Sequence, residues 1–148
     1  MICRAMNYKL IIYTCLTIAW ILFIFSFSMQ SGEESSQISG GIVLQVLAIL
    51  FPQGFAYAEQ LEFLIRKLAH FAEYFVLGVL VLKTLKQARC PRQVIGGLII
   101  CVLVASCDET IQLFSGGRSG KVVDVLLDSV GSWCGIMGRL KVRRYKSF

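Results

Sequence analysis

LEFLIRKLAHFAEYFVLGVLVLK, residues 61–83, is an apolar run long enough to cross a bilayer, yet Arg66, Lys67, His70 and Glu73 are set into it. A hydrocarbon core of about 30 Å takes about 20 helical residues. A charge at the centre of such a helix costs about 2.5–3.5 kcal/mol on insertion scales. Four ionisable groups within eight residues therefore need a common reason, either a polar site shared with other helices or a very wet edge.

Three further runs share this character. They are YKLIIYTCLTIAWILFIFSFS (8–28), QVIGGLIICVLVASCDETIQLF (93–114) and KVVDVLLDSVGSWCGIMG (121–138). Only helices or closed barrels satisfy backbone polar groups in lipid, and none of these runs alternates as a strand would. Hydrophobic residues make up 56% of the 148 and charged residues 16%, against about 45–50% apolar in soluble domains. The expected architecture is all-α: one polytopic membrane domain over 1–148, with four transmembrane helices near 8–28, 61–83, 93–114 and 121–138. The segment ISGGIVLQVLAILF, 38–51, is short for a span and stops at Pro52 and Gly54. It reads as an interfacial or re-entrant helix. Arg4 and Lys9 precede a first run longer than a signal-peptide core, and no small-x-small cleavage site follows, so that run reads as a retained span.

Charge gives the orientation. Arg4 and Lys9, then Lys83, Lys86, Arg89 and Arg92, then Arg139, Lys141, Arg143, Arg144 and Lys146 fall on one side of the four spans. They are eleven of the fifteen basic residues, and the positive-inside rule puts them, with both termini, in the cytoplasm. The net charge of +6 reports topology here and does not suggest a nucleic-acid partner. All nine acids then fall in the outer half or the outer loops, together with Arg66, Lys67, Arg118 and Lys121. The six cysteines form no C-x-x-C pair and lie mostly in apolar runs. That argues for small apolar fillers over a zinc site or a disulfide frame.

Helical spacing sorts the outer groups. Arg66, His70, Glu73 and Leu77 share a face of the second span, Asp108 and Gln112 a face of the third, and Asp124, Asp128, Gly131 and Gly135 a face of the fourth. Gly131 and Gly135 form a small-xxx-small step that lets another helix approach closely. Asp108 and Glu109 are adjacent and point about 100° apart on a helix, so one of them is expected to be a cap or solvated. Ion pairs such as Arg66–Asp128 or Arg118–Asp124 could simply lock the helices together. The alternative is an outward pocket lined by both signs of charge, with Arg66, Lys67 and Arg118 placed to hold a carboxylate or phosphate. His70 and Glu73 are the candidates for acid/base work. His-x-x-Glu occurs once, whereas bundle metal centres repeat it with extra glutamates, so no metal is expected. No cofactor motif is present. Trp20, Trp133, Phe71 and Tyr74 read as packing residues or interface anchors.

The ordered blocks RKLAHFAEYFVLG and SCDETIQLFSGGRSGKVVDVLLDSVGSWCG resemble the VanZ-like family of bacterial membrane proteins. That family's pattern is R-K-x-x-H-x-x-E-Y, then D-E-x-x-Q-x-F, then G-R, then D-x-x-x-D followed by glycine. Arg66, Lys67, His70, Glu73 and Tyr74 match the first block, and Asp108, Glu109, Gln112 and Phe114 the second. Gly117 and Arg118 match the third, and Asp124, Asp128 and Gly131 the fourth. Gly116 stands where members often have proline. The resemblance implies a multi-pass protein of the cytoplasmic membrane and a link to low-level teicoplanin resistance. Its partners would be membrane lipids and a lipid-linked cell-wall precursor or glycopeptide. Three functions are consistent with these residues: a binding or modulating protein, an enzyme on a lipid-linked phosphate with His70 and Glu73 as acid/base, or a small solute or ion carrier working as a homo-oligomer.

Overall fold

The computed structural model describes residues 7–31, 37, 40–41, 45, 58–115 and 121–145. Four long helices organise them: α1 Tyr8–Ser28, α2 Ala58–Gln87, α3 Gln93–Phe114 and α4 Val122–Tyr145. There is no strand among the described residues. The helix expected near 38–51 falls largely outside them. α1 and α3 have the expected limits, whereas α2 and α4 continue past the expected ends at 83 and 138. Hydropathy marks where lipid contact stops, but good helix formers such as Lys86, Gln87, Arg139 and Lys141 carry the backbone hydrogen bonding further.

α1, α2 and α3 are each long and apolar enough to cross a membrane. α4 has 24 residues, about 36 Å of helix, but its two aspartates and basic last turns leave it less apolar. Polarity is inverted relative to a protein in water. Ile11, Leu16, Ile18 and Leu22 of α1 and Ile95, Ile99 and Leu103 of α3 are exposed, while Asp108, Gln112, Asp128 and Ser132 are buried. Soluble proteins rarely bury two acids side by side or expose contiguous aliphatic surface on this scale. Lipid around the helices explains both.

The apolar core joins Ile24 of α1, Tyr74, Leu77 and Val81 of α2, and Cys101 and Ala105 of α3. Polar contacts fix the register of α1. Asn7 Nδ2 donates to the Gln87 carbonyl at 3.4 Å, the Thr17 and Thr84 hydroxyls meet at 2.9 Å, and Trp20 Nε1 donates to the Glu73 carbonyl at 2.9 Å. At the far end Ser115 Oγ donates to the Ser28 carbonyl at 2.8 Å. α1 therefore runs antiparallel to α2 and parallel to α3.

α4 lies parallel to α2, with Asp124 beside Lys67, Gly131 beside Phe71 and Gly135 beside Phe75. The helices touch backbone to backbone. A Cβ added at Gly131 would sit 2.7 Å from the Phe71 carbonyl oxygen, and one at Gly135 or Gly78 would overlap the carbonyl of Phe75 or Ser132. Glycine is required at these places because nothing larger fits between the two backbones. This is the inward packing expected of the small-xxx-small face, with α2 as its partner.

Candidate functional site

One end of the bundle carries the basic residues Lys83, Lys86, Arg89, Arg92, Arg139 and Lys141. The other half gathers the acids. There the periodicity of each helix turns its polar face toward its neighbours, and burial rises stepwise from the rim to the centre.

At the rim, Arg66 Nη2 donates to Glu62 Oε1 at 2.6 Å, one turn earlier on α2. Lys67 forms an ion pair with Asp124 of α4. Arg66 thus pairs within its own helix, so the Arg66–Asp128 lock weighed as one structural alternative is not the pair formed. One step deeper, His70 Nδ1 lies 3.9 Å from Glu73 Oε2, and both side chains are less than one-fifth exposed. At the centre Asp108 of α3 and Asp128 of α4 are fully buried. Gln112 Nε2 donates to Asp108 Oδ2 at 3.3 Å and to Ser28 Oγ at 3.4 Å, so the shared face of Asp108 and Gln112 is realised. One donor atom each from His70, Asp108 and Asp128 lie within 4.8 Å of one another.

Glu109 has a different task. Its Oε2 accepts the backbone N–H of Lys121 at 2.8 Å, next to the first residue of α4. A helix start leaves N–H groups without partners, and this carboxylate supplies one from the preceding helix. Of the two alternatives for the Asp108–Glu109 pair, the cap is the one observed. Arg118 lies outside the described residues.

Two participants were not singled out in the sequence as site residues. Tyr74 is fully buried beside Asp108 and Asp128, although its aromatic ring suggested a packing residue or an interface anchor. Ser28 is buried at the end of α1, where the FSFS ending is the only hint of a polar face. Trp133 is half exposed on the outside of α4, as suits an interface anchor.

The arrangement has cations at its mouth, an imidazole behind them, and two carboxylates and a phenol at its floor. Such a site can hold an anionic group at the rim, move a proton at His70, or bind a cation between the acids. The sequence model of the VanZ/LLP1 family matches residues 11–140, and the chain belongs to that family. No curated protein and no solved structure matches the chain.

Proposed function

We propose, taking membership of the VanZ/LLP1 family as the premise, that this chain is a four-span protein of the bacterial cytoplasmic membrane. Both termini are cytoplasmic, and the acidic half of the bundle faces outward, where it holds the anionic headgroup of a lipid-linked cell-envelope molecule or a glycopeptide. The fourth span rests on α4 lying parallel to α2 along three successive contacts, which sets it at the same depth. The orientation rests on the basic residues gathered at one end of the bundle.

The observation that carries the binding reading is the gradient of burial. Arg66 and Lys67 have side chains 34% and 23% exposed, and the polar groups behind them lead inward to Asp108 and Asp128 at 0%. Each rim cation already sits against a carboxylate. The carboxylates hold the two cations in place before a ligand phosphate or carboxylate arrives, which lowers the ordering cost of binding. The headgroup would be met where cell-wall precursors and glycopeptides are found, and low-level teicoplanin resistance is the physiological outcome proposed.

The test is teicoplanin and vancomycin susceptibility in a sensitive host, comparing wild type with Arg66→Ala, His70→Gln and Arg118→Ala at matched membrane levels. Wild type should lower teicoplanin susceptibility, and the arginine variants should lose the effect. A wild type without effect removes the resistance role. A second reading, an enzyme acting on a lipid-linked phosphate, draws on His70 and Glu73 standing together behind the rim cations, 3.9 Å apart, an acid/base pair whose contact would tighten in the substrate complex. It differs in outcome: His70→Gln would then abolish turnover while headgroup binding survives, whereas under the binding reading His70→Gln is the mildest of the three changes.

A further inference from the structure

We infer that His70, Asp108 and Asp128 form the binding site of one divalent first-row transition-metal ion. Each of three helices contributes one residue: α2 the imidazole, and α3 and α4 a carboxylate each. Their donor atoms all fall within 4.8 Å of one another. Ligands about 2.0–2.2 Å from a tetrahedral ion stand about 3.4 Å from each other. Closing the trio on an ion takes side-chain shifts of about an ångström, with no movement of the helices.

Asp128 supplies the independent observation. It is fully buried, and neither of its carboxylate oxygens has a hydrogen-bond partner among the described residues. A buried carboxylate is retained when it is paired, hydrogen-bonded or bound to metal. The nearby Lys67 is paired with Asp124, and the second acid of the cluster, Asp108, adds like charge. A divalent cation between the two aspartates compensates both. The remaining contacts are those that hold ligands in place around a metal. Gln112 donates to Asp108 Oδ2, and Glu73 Oε2 stands 3.9 Å from His70 Nδ1. The backbone contact of α2 with α4 fixes the span between His70 and Asp128 on rigid elements. The imidazole nitrogen favours a first-row transition metal such as zinc over magnesium or calcium, and the two carboxylates suit manganese as well. These three ligands also leave coordination positions for water or for an oxygen of an anionic ligand. The site differs from the His-x-x-Glu pattern weighed in the sequence, because its acids come from other helices.

The chain contains a single histidine, so any imidazole nitrogen bound to an ion belongs to His70. Full-length protein carrying a non-histidine tag and ¹⁵N-labelled histidine, purified in detergent and stripped with chelator, is titrated with Mn²⁺ and studied by pulsed EPR. One Mn²⁺ per chain with ¹⁵N coupling is expected, and His70→Gln should lose the coupling. Asp128→Asn and His70→Gln should each weaken binding by well over tenfold, since loss of an outer-shell partner alone costs about 10–100-fold. Zinc bound per chain, read by mass spectrometry in a cysteine-free background, should follow the same pattern. Absence of binding by wild type, binding without ¹⁵N coupling, or equal affinity in a folded variant overturns the inference. Should Asp128→Asn fail to fold, the wild-type coupling and His70→Gln still decide it. No headgroup enters the measurement, so its outcome is separate from that of the proposed ligand binding.

Discussion

Lys67 and Asp124, 57 residues apart in sequence, form an ion pair that ties the acidic half of α2 to the first turn of α4. Both side chains are about one-fifth exposed, so the pair lies between the surface case, worth up to about 1 kcal/mol, and the buried case, where loss of one partner costs about 3–5 kcal/mol. Lys67→Asp and Asp124→Lys should each lower thermal stability in detergent, and the double exchange should restore most of it. A coupling energy of about 1–2 kcal/mol from the four-protein cycle is expected. No coupling would mean that the pair contributes position and not stability.

The backbone contact between α2 and α4 makes a sharper forecast. Gly135→Leu drives a side chain into the Phe75 carbonyl and should eliminate the folded monomer in size-exclusion profiles. Gly131→Ala, with its nearest atom at 2.7 Å, should cost about 1–3 kcal/mol, the range for overpacking. At Gly96 an added methyl meets only the Leu85 side chain at 3.7 Å. Gly96→Ala should therefore stay within about 0.5 kcal/mol of wild type, or gain slightly from helix propensity.

Glu109 caps α4 from another helix. Glu109→Leu should destabilise by about 0.5–2 kcal/mol, the range for a lost N-terminal cap. Glu109→Gln keeps an acceptor oxygen and should lose less. Faster amide exchange confined to Lys121 and the first turn of α4 would identify the cap as the cause. Uniform loss across the bundle would point to general packing instead.

Single cysteines at positions 118 and 89, in an otherwise cysteine-free chain, test the orientation. A membrane-impermeant thiol reagent added to intact cells should label 118 and spare 89. The reverse pattern would put the acidic half of the bundle in the cytoplasm and remove extracellular ligands from consideration.

The sequence is most informative where one helix alone decides the matter. The limits of α1 and α3, and the grouping of Asp108 with Gln112, follow from hydropathy and from 3.6-residue periodicity. So does the inward face of Gly131 and Gly135. What periodicity within a helix does not contain is the rotation and register of one helix against another. Arg66 and Asp128 were plausible partners on charge alone, yet Arg66 finds Glu62 one turn away. The contacts Lys67–Asp124 and Gln112–Ser28, and the meeting of His70 with two aspartates, appear only once the four helices are packed against one another. Tyr74 was hidden for another reason: aromatic side chains are so often core that a buried hydroxyl leaves no separate mark.

The backbone contact between α2 and α4 also bears on how the protein is made. α4 is the least apolar of the four helices and the last in order, and its two aspartates weigh against its entering lipid alone. The backbone of α2 at Phe71, Phe75 and Gly78 offers it a surface against which Asp128 is buried in protein. For α4 as the proposed fourth span, insertion becomes conditional on α2 already being in the bilayer, so the site that Asp128 contributes to forms only once the two helices have docked. A lesion at Gly78, where an added Cβ would overlap the Ser132 carbonyl, would keep α4 from docking and expose the chain to quality-control proteolysis. It would then register as low abundance before any defect in the site could be measured.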